Sequence, residues 1–192
     1  MPKALTVAVL VLLALAGPAV AAAWDVTAGF LAGPRTASDE TVNRIYGSGT
    51  VYGPFLAVGL WRGFRVGASY EGGYSRSGVI GLYNEPTTLK VSGVEVFAGY
   101  WLKLDLVALY LRGGWGNYSY LQTVQSPVAR NYPVDARGQT MVAAAGVNVY
   151  LLERLYLCGE VKYVPLKVKP YENEVDLSGW RYLVGIGYTV HF

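Results

Sequence analysis

Cysteine is almost missing from this chain: Cys158 is the only one in 192 residues. A single thiol excludes an internal disulfide and any metal centre built from several cysteines. Histidine is equally scarce, with His191 alone. Charge is sparse: 16 basic and 13 acidic residues leave a formal +3, and the basic residues are scattered. Neither the size nor the distribution of that charge suggests a nucleic-acid partner. Long hydrophobic runs are also lacking. After residue 23 no stretch approaches the ~20 apolar residues that a membrane-spanning helix needs, although 53% of the chain is hydrophobic.

What the chain does have is glycine and tyrosine, 24 and 16 residues respectively, and a period of two. From Tyr182 to Phe192 every even position is large and apolar or aromatic (Tyr182, Val184, Ile186, Tyr188, Val190, Phe192), while Gly185, Gly187, Thr189 and His191 take odd ones. Such alternation marks an extended strand whose faces meet different surroundings. Aromatics at both ends of the apolar face, with aliphatics between, fit a strand that crosses a bilayer. Ten steps at roughly 3.3 Å, tilted about 40°, rise roughly 25 Å, the height of an outer-membrane apolar band.

The other end of the chain points the same way. Lys3 precedes an apolar core from Ala4 to Ala16, Gly17 and Pro18 break it, and Ala19 to Ala23 offer small-x-small cleavage sites. Residues 1–23 read as a secretory signal peptide, cleaved after Ala23, because the core is too short for an anchor helix. No cysteine follows the cleavage region, which argues against a lipoprotein anchor. Residues 24–192 then form one domain.

Strands and breakers divide that domain into four hairpins. The strands run from about Trp24 to Ala32, Thr50 to Trp61, Phe64 to Tyr74, Thr88 to Leu102, Leu106 to Leu121, Gln139 to Leu151, Leu155 to Val168 and Leu177 to Phe192. Arg62 and Gly63 make a tight turn, since glycine accepts the positive φ of short hairpins. Lys103 to Asp105 and Leu152 to Arg154 make the other short connections. The segments 33–49, 75–87, 122–138 and 169–176 are read as long polar loops. Long and short connections alternate strictly, as in outer-membrane barrels with short periplasmic turns and long outer loops. The expected fold is all-β, an eight-stranded antiparallel up-and-down transmembrane β-barrel.

Parity alone does not separate a lipid-facing barrel from a soluble lipocalin-like one; the charges do. Val94, Val96, Ala98 and Tyr100 oppose Glu95, Phe97, Gly99 and Trp101, and Leu157, Val161 and Tyr163 oppose Cys158, Glu160 and Lys162. The second set is small, aromatic or charged with both signs, too poorly charged for the outside of a soluble barrel. A narrow interior needs small residues and paired charges. Arg65, Glu71, Glu95, Arg112, Glu160, Lys162 and Arg181 are therefore expected to form a lumenal charge network of structural character. Lys90 falls on the lipid-facing parity near an outer strand end, where a bulge or snorkelling accommodates it.

The signal peptide, four hairpins, glycine-aromatic strands and terminal Tyr188, Val190 and Phe192 together resemble the small outer-membrane β-barrel family, of the OmpA transmembrane-domain and OmpX type. The resemblance implies a bacterial outer-membrane location, contact with membrane lipid and lipopolysaccharide, and recognition of Tyr188, Val190 and Phe192 by the barrel assembly machinery. It also implies adhesin, structural or weak-channel roles, among which fold does not choose.

Catalysis finds little support in the residues. Acyl chemistry on lipid A needs a hydroxyl activated by a base, but His191 sits on the periplasmic rim and Ser178 near the opposite one. Asp39 with Glu40, and Glu172 with Glu174, are short acidic clusters without metal-ligand spacing, and no cofactor is expected. Gly113 to Gly116 lie within a strand and lack phosphate-loop context. The expected role is structural or surface interaction, through loops carrying Arg35, Arg44, Arg130 and Arg137 with Tyr46, Tyr132 and Tyr171. The alternatives are a narrow channel or small-solute conduit and, after it, a lipid A-modifying barrel.

Overall fold

The computed structural model describes residues 24–81, 84–125, 132–172 and 174–192. The segment read as a signal peptide lies outside them. Alternating residues build eight long strands: β1 (Asp25–Arg35), β2 (Gly49–Trp61), β3 (Phe64–Ile80), β4 (Glu85–Leu104), β5 (Val107–Val124), β6 (Tyr132–Tyr150), β7 (Leu155–Val164) and, after a small insertion, β10 (Gly179–His191). Each pairs antiparallel with its neighbour in sequence, and β1 pairs with β10 to close the barrel. Closure joins the first strand to the last around the ring, while the outer parts of β3 (beyond Gly72) and β6 (before Ala143) pair on one side only, with β4 and β5. The insertion is a two-stranded hairpin, β8 (Lys167–Val168) with β9 (Val175–Asp176).

The short connections follow from their residues. Arg62 (φ 43°) and Gly63 (φ 87°) both take positive φ between the paired Trp61 and Phe64, the twist that a two-residue hairpin requires. Leu104 pairs with Val107, so the second short turn is Asp105 and Leu106, with Asp105 at φ 53°. Trp24, Phe192 and the three short turns share one rim, with the Phe192 amide donating to the Trp24 carbonyl.

Three of the four long segments are shorter as loops than expected. β3 continues to Ile80, β4 starts at Glu85, β5 reaches Val124 and β6 starts at Tyr132. Ser75, Ser77, Thr88 and Arg137 are polar because the ladder has risen out of lipid into water, not because the strands have ended. Segment 33–49 likewise extends β1 to Arg35 and then forms helix α1 (Glu40–Tyr46), capped by Asp39, whose side chain accepts from the Val42 amide at 2.8 Å. In the fourth, β7 stops at Val164, and Pro165, which cannot donate to a ladder, leads into the β8–β9 hairpin.

One shift of register reverses the alternation. Gly73, at φ 86°, sits where the β3–β4 register slips between Glu71 and Tyr74. This bulge turns Tyr74 inward, where it is buried, whereas strict alternation would place it against lipid. Together with Tyr46 and Val42 of α1, with Leu89, Val91, Tyr118 and Tyr120 of the wall, and with Leu166, Val168 and Leu177, Tyr74 forms an apolar core across the outer end of the lumen.

Candidate functional site

The lumen begins as a packing problem. Glycines on one strand receive aromatic rings from the next: a Cβ on Gly93 would come within 2.3 Å of the Tyr118 ring, and one on Gly146 within 2.3 Å of Tyr110. Glycine is therefore required where a ring lies flat across the neighbouring backbone. This interlock fills the bore. Among the described residues, small cavities of about 20 Å³ lie beside Trp101, Tyr110 and Tyr156 and beside Phe55, Glu71 and Lys162. Each is about the size of one water molecule.

Alternation then aims the charged residues inward from β3, β4, β5, β7 and β10. Arg112 grips Glu160 with two nitrogens, Nε and Nη2, each at 2.6 Å. Its Nη1 lies 3.7 Å from Glu95. Lys162 Nζ stands between two carboxylates, 2.8 Å from Glu95 and 2.6 Å from Glu71. Arg181 Nε donates to Glu71 at 3.3 Å. The order Glu160, Arg112, Glu95, Lys162, Glu71, Arg181 alternates in sign from end to end. Remaining lone pairs are met by hydroxyls: Tyr110 donates to Glu160 at 3.0 Å, Ser69 to Glu95 at 3.1 Å, and Tyr118 also to Glu95. Arg112 lies 4.5 Å above the Phe97 ring centre. Alternation of sign, with hydroxyl donors on Glu95 and Glu160, is the arrangement in which buried charge is tolerated.

Six of the seven expected lumenal charges thus meet. Arg65 stands apart, paired at 3.0 Å with Asp25 near the short-turn rim, its guanidinium 5.4 Å from the Trp101 ring centre. Asp25 and Arg35 were not expected inside. Both share the odd, inward parity of β1 with Thr27, Gly29 and Leu31; continuing that strand through Arg35 would have found them.

Two residues expected on a solvated loop are instead buried. Arg35 points into the lumen, and Tyr46 docks onto the wall, where Gln122 donates to its hydroxyl at 2.8 Å. Burial pushes the Tyr46 phenol above its usual range. Their apolar segments dock on the outer core, which loop composition does not reveal. Arg44, Arg137 and Tyr171 are exposed, and Arg130 lies outside the described residues. Asp39 is occupied as the helix cap, while Glu174 accepts from Lys167 at 2.7 Å. His191 is exposed at the short-turn rim, and Ser178 is buried at the far end of β10, donating to the Leu166 carbonyl at 3.5 Å.

The outer surface is the inverse of the lumen. Leu111, Met141 and Val184 are each 69% exposed. Trp24, Trp61, Tyr100 and Tyr188 face outward toward the short-turn rim, and Tyr52, Tyr70, Trp180 and Tyr182 toward the other. Lys90 also faces outward, beyond the bulge, opposite Ser75.

No family model and no curated protein matches this sequence. Solved structures do. The outer membrane protein OprG of Pseudomonas aeruginosa superposes with a TM-score of 0.64 at 15% identity, covering 89% of this chain and 97% of that one. The N-terminal β-barrel domain of OprF from the same organism gives 0.58 at 12% identity, covering 86% and 97%. The chain has the small outer-membrane β-barrel fold. Ail, the attachment invasion locus protein of Yersinia pestis, shares this barrel too, with a TM-score of 0.58 at 13% identity and coverage of 88% and 99%. An apolar outside, aromatics toward both rims and a polar inside make the molecule a membrane barrel of the bacterial outer-membrane type.

Proposed function

We propose that this barrel serves the outer membrane structurally or through its outer surface, without catalysis and without a conducting pore. The observation that supports the reading is the ion chain from Glu160 to Arg181, which spans the bore with each charge held by an opposite one. A permeating ion would have to separate buried pairs, which is expensive, and aromatic rings fill the space around them. The lumenal charges thus act as a structural plug. The surface function falls to the outer end, where Arg44, Arg137 and Tyr171 are exposed to lipopolysaccharide phosphates or an extracellular ligand. Tyr188, Val190 and Phe192 act earlier, as the strand read by the assembly machinery.

Planar-bilayer recording of the refolded protein tests this. The expected result is a silent membrane after insertion verified by protease protection. Reproducible unit conductance would overturn the plug and favour a narrow solute conduit. Lipid A mass spectra from cells with and without the gene are expected to coincide; an acyl-chain difference would establish a lipid A-modifying enzyme instead.

A further inference from the structure

Among the described residues, Arg35 is the interior cation that meets no carboxylate. Among the described residues, the cations buried within the barrel are Arg35, Arg65, Arg112, Lys162 and Arg181. The carboxylates that meet them are Asp25, Glu71, Glu95 and Glu160. Each of those is already engaged, and Glu71 is shared between Lys162 and Arg181. Arg35 reaches none. Its Nη2 donates to the Leu177 carbonyl at 2.9 Å, and its guanidinium lies 4.4 Å from the Tyr74 ring centre.

The β1–β10 register places Arg35 directly opposite Arg181, and both side chains are buried, so two cationic side chains leave paired positions of the wall. Arg181 gives Nε to Glu71 and Nη1 to the Gly179 carbonyl at 2.7 Å. What remains is three nitrogens without an acceptor among the described residues: Nε and Nη1 of Arg35 and Nη2 of Arg181. They are not turned to water, because Arg35 is 2% exposed and Arg181 0%. Leu166, Val168 and Leu177 close the outer core beside them, each almost wholly buried. Two like charges in a low-dielectric site, with donors unanswered, repel each other and lose hydration together.

We propose that the Arg35–Arg181 pair binds one small monovalent inorganic anion of the halide class, enclosed beneath the β8–β9 hairpin. A single negative charge balances the surplus cation, and a spherical acceptor takes N–H groups from two forks at once. Enclosure, with the Glu71 carboxylate already on Arg181, disfavours a multivalent oxyanion such as sulfate, whose hydration is harder to replace. The site is independent of whether the barrel conducts or what its outer surface binds.

The test uses the full mature barrel folded in detergent, with thermal midpoints read by heat-modifiable gel mobility in sodium bromide or sodium gluconate at equal ionic strength. The wild-type midpoint is expected to rise with bromide in a saturable way. Arg35→Met, which removes a buried charge and is expected to fold, should weaken bromide by at least tenfold. Arg35→Lys, kept as a second variant in case the first does not fold, should weaken it less. Lys90→Met, on the outer face, should leave the response unchanged. Crystals grown in bromide should show anomalous density between the two guanidiniums. An equal bromide response in wild type and both Arg35 variants overturns the proposal, as does ordered water alone between the guanidiniums.

Discussion

Glu95 carries more of the lumenal network than any other single side chain. It accepts from Ser69, Tyr118 and Lys162 and faces Arg112. Replacing it with leucine leaves Lys162 only Glu71 and strips Tyr118 and Ser69 of their acceptor. Breaking one partner out of a buried pair costs about 3–5 kcal/mol. Glu95→Leu is therefore expected to lower unfolding free energy by about 3 kcal/mol in urea titrations of the folded barrel. Glu95→Gln should fall between, since the amide oxygen still accepts from Lys162. Arg65→Met is the contrast. The Asp25 side chain it abandons is 18% exposed, so water takes over part of the lost pairing, and about 1 kcal/mol is expected. Equal losses in both variants would mean that depth in the lumen does not govern the energetics.

At the scale of elements, β10 and α1 show what sequence can and cannot disclose. β10 was legible because lipid on one face and a packed lumen on the other enforce a period of two. The same parity located Glu71, Glu95, Arg112, Glu160, Lys162 and Arg181. It did not locate α1: seven residues with Val42 and Tyr46 buried are too short to show a 3.6 period, and their burial depends on an outer core assembled from other strands. Nor could composition distinguish a strand in water from a loop, which is why Ser75 to Ile80 and Tyr132 to Gly138 were read as loops. The glycine at 73 was visible, but its φ of 86° and the resulting inward turn of Tyr74 were not. Losing the Asp39 side chain should cost α1 about 1 kcal/mol. In Asp39→Ala, amide exchange is expected to speed up about fivefold across residues 42–46, with exchange in β4 and β5 unchanged. Phe192 divides stability from assembly. Its amide donates to the Trp24 carbonyl at 2.9 Å, while its ring is exposed, so Phe192→Ala removes no lumenal contact. The variant should refold in detergent with near-native stability yet accumulate less folded protein in cells. A matching drop in both would assign the ring a packing role instead.

The whole molecule is an inside-out protein, and its proportions follow from its two solvents. Glycines let rings and charges fill the bore, the aliphatic exterior meets acyl chains, and the upper parts of β3 to β6 stand in water around an ordinary apolar core that closes the outer end. Cohesion therefore has two sources, the ion chain in the wall's interior and hydrophobic packing above it. A charge on the exterior should read the lipid boundary directly, because an arginine at the bilayer midplane costs about 2–4 kcal/mol and near an interface about 0–1. Val184→Arg, midway along the lipid face of β10, and Leu111→Arg on β5 are expected to destabilise the barrel in phospholipid bilayers by about 2–3 kcal/mol. Ser75→Arg, beyond the bulge and opposite Lys90, should change it by less than about 0.5 kcal/mol. Urea unfolding in liposomes, followed by tryptophan fluorescence, measures all three. If Ser75→Arg proved as costly as Val184→Arg, the bilayer would have to reach past the bulge, and the polar outer face of β3 would lose its explanation as a strand standing in water.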